Sequence, residues 1–298
     1  MNSICILLTD DDSINEDIIL NSYEYLLKIK IKKIYFIGSK IRFKKIYKRF
    51  YKKNKFAFID VNLKKDRFFE YLKCITNEAF KIFKKNKNTL IINMPLNKKK
   101  FLNNKFPGFT EFFSYQLDKI ENENMLLYNE KKFSVCPLTT HIELKNVEKN
   151  INERKLKNCI NNVNNFFKKL KKKIHIVVLG LNPHASTDFN KKTKDKEIIR
   201  KIVNKMKKKI SISGPISADT AFTDNYCNKV FIGMYHDQVL IPFKAINKFN
   251  GINITIGKKI LRLSPDHGTA KNLKGGKKII NNKSFLRCLD FCSKDFNV

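Results

Sequence analysis

Four of the five histidines follow short apolar runs that are typical of β-strands. They are His141, His184, His236 and His267. Imidazoles that converge from the ends of neighbouring strands can bind a divalent metal ion such as Zn²⁺. The separations along the chain are long and match no short metal-ligand motif, so spacing alone leaves both a metal site and unrelated histidines open. The fifth, His175, falls inside a predicted strand, where we expect a structural role.

Polar and cationic side chains accompany these histidines in the second half of the chain. Asp219 lies in a Gly-Pro-containing segment, and Lys244 follows His236 by eight residues. Asn253 and Arg262 stand on or beside two consecutive predicted strands. A lysine, an arginine and an amide near several imidazoles could hold a small anionic substrate, such as a phosphate ester or a carboxylate. Each cation is one of 61 basic residues, so only the shared neighbourhood supports this prediction.

Short apolar runs alternate with longer amphipathic stretches, and this alternation predicts an α/β protein with mostly parallel sheets. The predicted strands are Ile4–Thr9, Lys33–Ile37, Phe56–Val61, Thr89–Asn93, Phe133–Cys136, Ile174–Gly180, Val230–Met234, Ile252–Ile256 and Ile260–Leu263. Predicted helices include Arg67–Lys84 and Val147–Leu170. Because ligands gather at the carboxyl ends of such strands, we expect the site in four loops. These loops are Asn182–Ala185, Gly214–Thr220, Tyr235–Gln238 and Ser264–Ala270.

The formal net charge of +34 on 298 residues raises nucleic-acid binding as a hypothesis. The basic residues are spread over nearly every helix-like stretch, however, and they accompany abundant Asn, Ile and Phe. This mixture is typical of codon choice in an AT-rich genome, so we expect no specific nucleic-acid partner.

The seven cysteines are widely spaced and form no Cys-x-x-Cys pair, which predicts free thiols in a reducing compartment. No secretory leader or apolar run of membrane-spanning length is visible. We therefore expect a cytoplasmic protein without a membrane partner. The chain also lacks a glycine-rich dinucleotide-binding fingerprint and a Walker loop.

The second half resembles the 4-hydroxythreonine-4-phosphate dehydrogenase family. The similar runs are Thr139–His141, Gly180–Ala185, Gly214-Pro215 with Ala218–Thr220 and Phe222, Met234–Gln238, Gly251–Gly257 and Arg262–Ala270. They occur in the family's order and at close to its spacing. A weaker similarity extends upstream through Pro95–Lys98 and Gly108–Glu111.

This resemblance implies a metal-dependent, NAD-linked oxidoreductase of vitamin B6 (pyridoxine and pyridoxal phosphate) biosynthesis. Its substrate would be 4-phosphooxy-L-threonine, which is oxidised and decarboxylated to 3-amino-2-oxopropyl phosphate. The implied cofactors are NAD and a divalent metal, either Zn, Mg or Co, with no residue assigned to NAD. The implied metal ligands, also catalytic, are His141, His184 and His236. Lys244 joins them as a catalytic residue, and the implied substrate contacts are Thr110, Asp219, Lys244, Asn253 and Arg262.

The resemblance also implies a fold of two α/β/α domains with a cleft between them, like isocitrate and isopropylmalate dehydrogenases. We expect a first domain at residues 1–137, joined by about 271–298, and a second at 138–270 that carries most metal and substrate residues. A homodimer with shared active sites is implied as well.

Three segments depart from the family's pattern. Phe109 stands where the family has a histidine, and the N-terminal Gly- and Pro-rich segment is reduced to Thr9–Asp17. After His184, the usual Gly-Glu and following glycines become Ser186–Asn190. Two alternatives therefore stay open. One is a related dehydrogenase of 4-phosphoerythronate or 4-phosphothreonate; the other is a catalytically decayed basic protein that binds RNA or a protein partner.

Overall fold

The computed structural model describes residues 3–62, 67–118, 123–223, 226–248, 250–257, 262–274 and 280–295. The chain forms two compact units, one of Met1–Glu121 with Ile260–Val298 and one of Asn122–Lys259. We call them unit 1 and unit 2. Unit 1 includes the C-terminal segment, and residues 124–137 pair with strands of unit 2. The domain limits at 137 and 270 stay a prediction.

Eleven strands are described. They are β1 (Ser3–Leu7), β2 (Lys33–Gly38), β3 (Phe56–Asp60), β4 (Thr89–Asn93), β5 (Asn124–Tyr128), β6 (Ser134–Pro137), β7 (His175–Leu179), β8 (Ile212–Ile216), β9 (Lys229–Gly233), β10 (Ile252–Ile256) and β11 (Arg262–Pro265).

Eleven α-helices are described with them. They are α1 (Asn15–Asn21), α2 (Tyr23–Lys28), α3 (Lys44–Phe50), α4 (Phe68–Lys85), α5 (Lys98–Leu102), α6 (Phe109–Asp118), α7 (Val147–Asn150), α8 (Glu153–Lys169), α9 (Arg200–Met206), α10 (His236–Asn247) and α11 (Lys283–Asp290). No helix in the described ranges is both long enough and apolar enough to cross a membrane.

Unit 1 contains the parallel strand order β3-β2-β1-β4-β11. Its helix α4 buries Tyr71, Leu72, Ile75 and Ala79, a spacing of three and four residues that places them on one face. They pack with buried residues of β1, β4 and α6 in one apolar core. The predicted α/β architecture is confirmed in this unit.

Unit 2 contains the order β10-β5-β6-β9-β7-β8. Strand β5 pairs antiparallel with β10 and β6, whereas β6, β9, β7 and β8 run parallel to one another. The carboxyl ends of these four parallel strands therefore lie at the same edge of the sheet. The segments that follow β6, β7, β8 and β9 carry His141, His184, Asp219 and His236, respectively.

Several predicted elements differ in detail. Strands β5 and β8 were not predicted, and the first two residues of the predicted strand Ile260–Leu263 lie outside the described residues. The predicted helix Val147–Leu170 divides into α7 and α8, because the Asn152 side chain accepts a hydrogen bond from the Lys155 amide and caps a new helix. Gly214 belongs to β8, Ser264 to β11, and His236 begins α10, so three of the predicted loops are partly strand or α-helix.

Candidate active site

The imidazoles of His141 and His236 lie side by side in unit 2, with 5.6 Å between their ring centroids. The backbone after β6 stays paired with the backbone after β9, which explains the proximity. The Leu138 amide donates to the Gly233 carbonyl at 2.7 Å, and the Thr139 hydroxyl donates to the Met234 carbonyl at 2.7 Å. The two histidines thus follow two strand ends that are fixed to each other.

A third loop, after β7, carries His184 in an unusual backbone conformation. His184, Ala185 and Ser186 have φ values of 51°, 50° and 59°, a region that residues with a Cβ atom rarely adopt. The loop folds back over the end of β7: a Cβ atom at Gly180 would lie 2.7 Å from the Ala185 Cα. Glycine at position 180 permits this close approach.

One glutamine connects the ends of β9 and β7. The Gln238 side chain accepts a hydrogen bond from the Met234 amide at 2.7 Å and donates one to the Gly180 carbonyl, also at 2.7 Å. These bonds link the loop before His236 to the loop before His184. The sequence placed Gln238 in a family-like run but gave it no role.

Two histidines have carboxylate partners on Nδ1. His184 Nδ1 contacts Asp188 Oδ2, and His236 Nδ1 lies 2.6 Å from Asp237 Oδ1. In metal sites such a carboxylate orients the ring and leaves Nε2 for the ion. This donor set fits a divalent cation. Within the described ranges, however, no group of three His, Cys, Asp or Glu side chains is arranged around a single metal position.

Asp188 also changes the protonation of His184. Its hydrogen bond and negative charge raise the pKa of the His184 imidazole above its usual value. Asp219 lies close enough to His184 for their charges to interact. The pKa of the Asp219 carboxyl is lowered, chiefly by the Ser217 hydroxyl. Asp219 is therefore an ionised carboxylate beside the His184 loop.

Lys244 and Asn253 are in unit 2 but on other elements. Lys244 is an exposed residue of α10, two helical turns after His236, which corresponds to roughly 12 Å along the helix axis. Asn253 lies in β10, and its side-chain oxygen is buried without a hydrogen-bond partner among the described residues. A buried acceptor of this kind suits a ligand that brings its own donor.

Thr110 and Arg262 are together in unit 1. The Arg262 guanidinium is 2% exposed, donates to the Thr110 hydroxyl at 3.1 Å and lies 4.9 Å from the centroid of the Phe109 ring. Burial lowers the pKa of Arg262 to about 10, and the nearby Glu111 charge opposes that shift. The ring that replaces the family's histidine thus contacts the guanidinium through a cation–π interaction.

The altered N-terminal segment is tied into unit 1 by its three aspartates. Asp10 is buried and accepts a hydrogen bond from the Asn97 amide at 3.0 Å. Asp11 pairs with Arg42 and Asp12 with Lys271, each at 2.6 Å. Hydrogen bonds and ion pairs within unit 1 therefore hold this segment in place.

The remaining two histidines and the cysteines have simpler surroundings. As predicted, His175 is structural: its two ring nitrogens lie 2.8 Å from the Ser211 and Ser213 hydroxyls. His267 is in unit 1, where its Nδ1 bonds the Gly268 carbonyl.

The predicted free thiols are confirmed, since none of the seven cysteines forms a disulfide. Sequence reasoning missed Asp188 and Asp195, which bind the His184 loop.

Comparisons with known proteins find relatives of similar sequence. A 4-hydroxythreonine-4-phosphate dehydrogenase from Sulfurihydrogenibium is 34% identical over 205 residues, which is 67% of this chain and 63% of that protein. The chain thus spans less than two thirds of that relative's length. A putative D-threonate 4-phosphate dehydrogenase from Oceanobacillus iheyensis is 32% identical over 228 residues, covering 74% of this chain and 67% of that protein.

Solved structures show the same fold. A putative 4-hydroxythreonine-4-phosphate dehydrogenase from Salmonella typhimurium superposes with a TM-score of 0.79 at 22% identity, covering 98% of this chain and 99% of that one. Isocitrate dehydrogenase from Methylococcus capsulatus is more distant, with a TM-score of 0.52 at 10% identity and coverage of 97% and 84%. The predicted fold class is confirmed.

The family model described as pyridoxal phosphate biosynthetic protein PdxA matches residues 41–292. This range covers most of the chain and includes all three histidines at the sheet edge of unit 2. The chain belongs to the PdxA family of pyridoxal phosphate biosynthetic proteins.

Proposed function

We propose that this protein oxidises and decarboxylates 4-phosphooxy-L-threonine to 3-amino-2-oxopropyl phosphate, with NAD as the hydride acceptor. The observation that carries the proposal is the edge of unit 2, where His141, His184 and His236 follow three parallel strands and the imidazoles of His141 and His236 are adjacent. Family membership and the name of the Sulfurihydrogenibium relative support the same substrate.

In this proposal, His141, His184 and His236 hold a divalent cation, either Zn, Mg or Co. Three neutral imidazoles leave a bound ion its full positive charge, which lowers the pKa of the substrate hydroxyl and stabilises the negative charge that develops on loss of carbon dioxide. Asp188 and Asp237 orient the His184 and His236 rings through Nδ1 and keep Nε2 available.

Other residues of the chain bind and orient the substrate. Lys244 and Arg262 supply positive charge for the phosphate and carboxylate groups. Thr110 and Asn253 orient the substrate by hydrogen bonds; the buried Asn253 oxygen accepts from a substrate hydroxyl or amine. Asp219 is an ionised carboxylate, and it suits the ammonium group that distinguishes phosphothreonine from a phosphorylated sugar acid.

We further propose a homodimer in which two copies share each active site. Within the described ranges of one chain, His141 and His236 are together but no third His, Cys, Asp or Glu completes a metal cage. His184 of a second copy is our candidate for the missing ligand.

The free cysteines suit the reducing cytoplasm, where we expect the enzyme to act.

A second substrate has support of its own. The Oceanobacillus relative is named for D-threonate 4-phosphate, whose hydroxyl replaces the amine of phosphothreonine. Phe109 stands where the family has a histidine, and its ring contacts Arg262. Because Arg262 is a proposed substrate contact, this change could alter substrate recognition. 4-Phosphothreonate and 4-phosphoerythronate are therefore the competing substrates, and a decayed protein without turnover is the remaining alternative.

The deciding experiment follows NADH formation by the purified, metal-loaded protein with each of the three phosphorylated substrates in parallel. Metal-dependent turnover with 4-phosphooxy-L-threonine as the best substrate supports the proposal, and chelation should abolish the signal. Turnover of only the threonate or erythronate ester would reassign the substrate. Failure with all three, from a folded and metal-loaded dimer, would contradict a dehydrogenase function.

A further inference from the structure

A fully buried carboxylate, Asp195, lies beneath the loop that carries His184. It has no exposed surface and begins the π-helical turn Asp195–Ile199 that leads into α9. One of its oxygens accepts from the Leu181 amide at 2.6 Å. The other accepts from the Asn182 amide at 3.3 Å, the Asn182 side chain at 2.7 Å and the Ser186 hydroxyl at 2.7 Å.

All four donors belong to residues 181–186, the segment that contains His184, and all four are neutral. A buried ionised group requires strong compensating interactions, because burial removes its hydration. Hydrogen bonds to a carboxylate are shorter and stronger than those between neutral groups. The hydrogen bonds of Asp195 therefore hold the histidine loop at Leu181 and Asn182, before His184, and at Ser186, after it.

The loop needs such an anchor because its backbone is unfavourable. His184, Ala185 and Ser186 are consecutive residues with positive φ, and each has a Cβ atom that disfavours this region. The hydrogen bond from the Ser186 hydroxyl to Asp195 helps to offset this conformational cost.

We propose that Asp195 is a positioning residue, which fixes the residue 181–186 loop so that the His184 imidazole is held ready for its ligand. Asp195 itself does not contact substrate or metal. The consequence for metal binding rests on the proposed function, in which His184 is a metal ligand, whereas the ordering of the loop does not.

The test uses the full-length chain with Asp195→Asn, which keeps the side-chain volume but removes the charge and one acceptor oxygen. Glu197→Gln is the matched control, because Glu197 is an exposed carboxylate in the same turn. Amide hydrogen exchange of Leu181 and Asn182 reads the loop directly. We expect exchange at least about tenfold faster in Asp195→Asn and no change in Glu197→Gln. The Gly180 amide, bonded to the Ile216 carbonyl, should stay protected in both.

Titration with Co²⁺ alone, followed by its absorption spectrum, gives the second measurement. We expect Asp195→Asn to bind Co²⁺ about 10- to 100-fold more weakly, as substitutions behind metal ligands do. Unchanged exchange at Leu181 and Asn182 would overturn the positioning role. Faster exchange with unchanged Co²⁺ affinity would support the positioning role and overturn His184 as a ligand, and with it the proposed metal site.

Ser186→Ala provides a milder variant in case Asp195→Asn does not fold. It removes one of the four donors and leaves the carboxylate intact. We expect faster exchange at Asn182 and a smaller loss of Co²⁺ affinity than in Asp195→Asn. Wild-type exchange and Co²⁺ affinity in Ser186→Ala would count against the proposal.

Discussion

The proposed chemistry of this protein depends on how individual histidines are held. His141 and His236 are paired by the strands that precede them, and His184 is held by a buried carboxylate and by Asp188. The histidines were recognisable in the sequence because each follows an apolar run. Asp195 was not recognisable, because it lies in a Lys-rich segment where a single acidic residue resembles an ordinary surface charge.

The buried imidazole of His267 makes the stability of the folded protein depend on pH. Burial lowers the pKa of its imidazole below the usual value of 6.5, and its Nε2 is buried with no partner in the described part of the chain. The folded protein therefore disfavours protonation at this position. The contribution of His267 to stability is present above pH 6.5 and is lost as the pH falls from there through its folded pKa.

We predict that His267→Gln reduces the loss of unfolding free energy between pH 8 and pH 5. Urea unfolding of both proteins at the two pH values measures this difference directly. His175→Gln is the comparison, because the pKa of His175 is also lowered but that residue is more exposed. An unchanged pH dependence in His267→Gln would show that its imidazole is protonated equally easily in the folded and unfolded chains.

At the scale of elements, the parallel strands β6 and β9 place His141 and His236 side by side, and the neighbouring β7 and β8 are followed by His184 and Asp219 at the same edge of the sheet. The alternation of strands and helices predicted this arrangement, and the comparisons confirm the fold. Strand β8 was missed because its sequence contains Gly214-Pro215, residues that usually interrupt strands. Strand β5 was missed because it is a short run that pairs antiparallel with β10 and β6, outside the predicted βα repeat.

The Gln238 bridge between β9 and β7 should couple the positions of two histidine loops. We predict that Gln238→Met lowers the unfolding free energy by about 2 kcal/mol, because the Met234 amide and the Gly180 carbonyl lose their partners. It should also weaken Co²⁺ binding. Gln238→Glu keeps the acceptor for the Met234 amide. Its unfolding free energy and Co²⁺ affinity should therefore lie between those of the wild type and Gln238→Met. Equal stability and Co²⁺ affinity in all three proteins would contradict this role.

For the whole molecule, a homodimer with shared sites makes a specific prediction. His141→Ala and His184→Ala should each be inactive alone. If each site takes His141 from one copy and His184 from the other, a mixed dimer of the two variants contains one site with both substitutions and one intact site. Co-refolded mixtures should therefore recover about a quarter of wild-type turnover. No recovery would place all three ligands within one chain or exclude the dimer.

The large positive charge is a property of the whole chain that the site does not explain. Many lysines lie on exposed helix surfaces, and some form single ion pairs with acidic neighbours, as Lys81 does with Glu78 and Lys157 with Glu153. Exposed pairs of this kind add little stability. The even spread of lysines over the chain agrees with compositional bias. The proposed metal site is built from three imidazoles and does not require a broad basic surface.

The most direct test of this account replaces His236 by alanine and measures bound metal and NADH formation with 4-phosphooxy-L-threonine. The account predicts that a folded His236→Ala protein loses most of its metal and essentially all turnover, because one of three imidazole ligands is gone. His175→Ala, outside the site, should keep both. Retention of metal and turnover by His236→Ala would contradict the assignment of these histidines and the mechanism built on them.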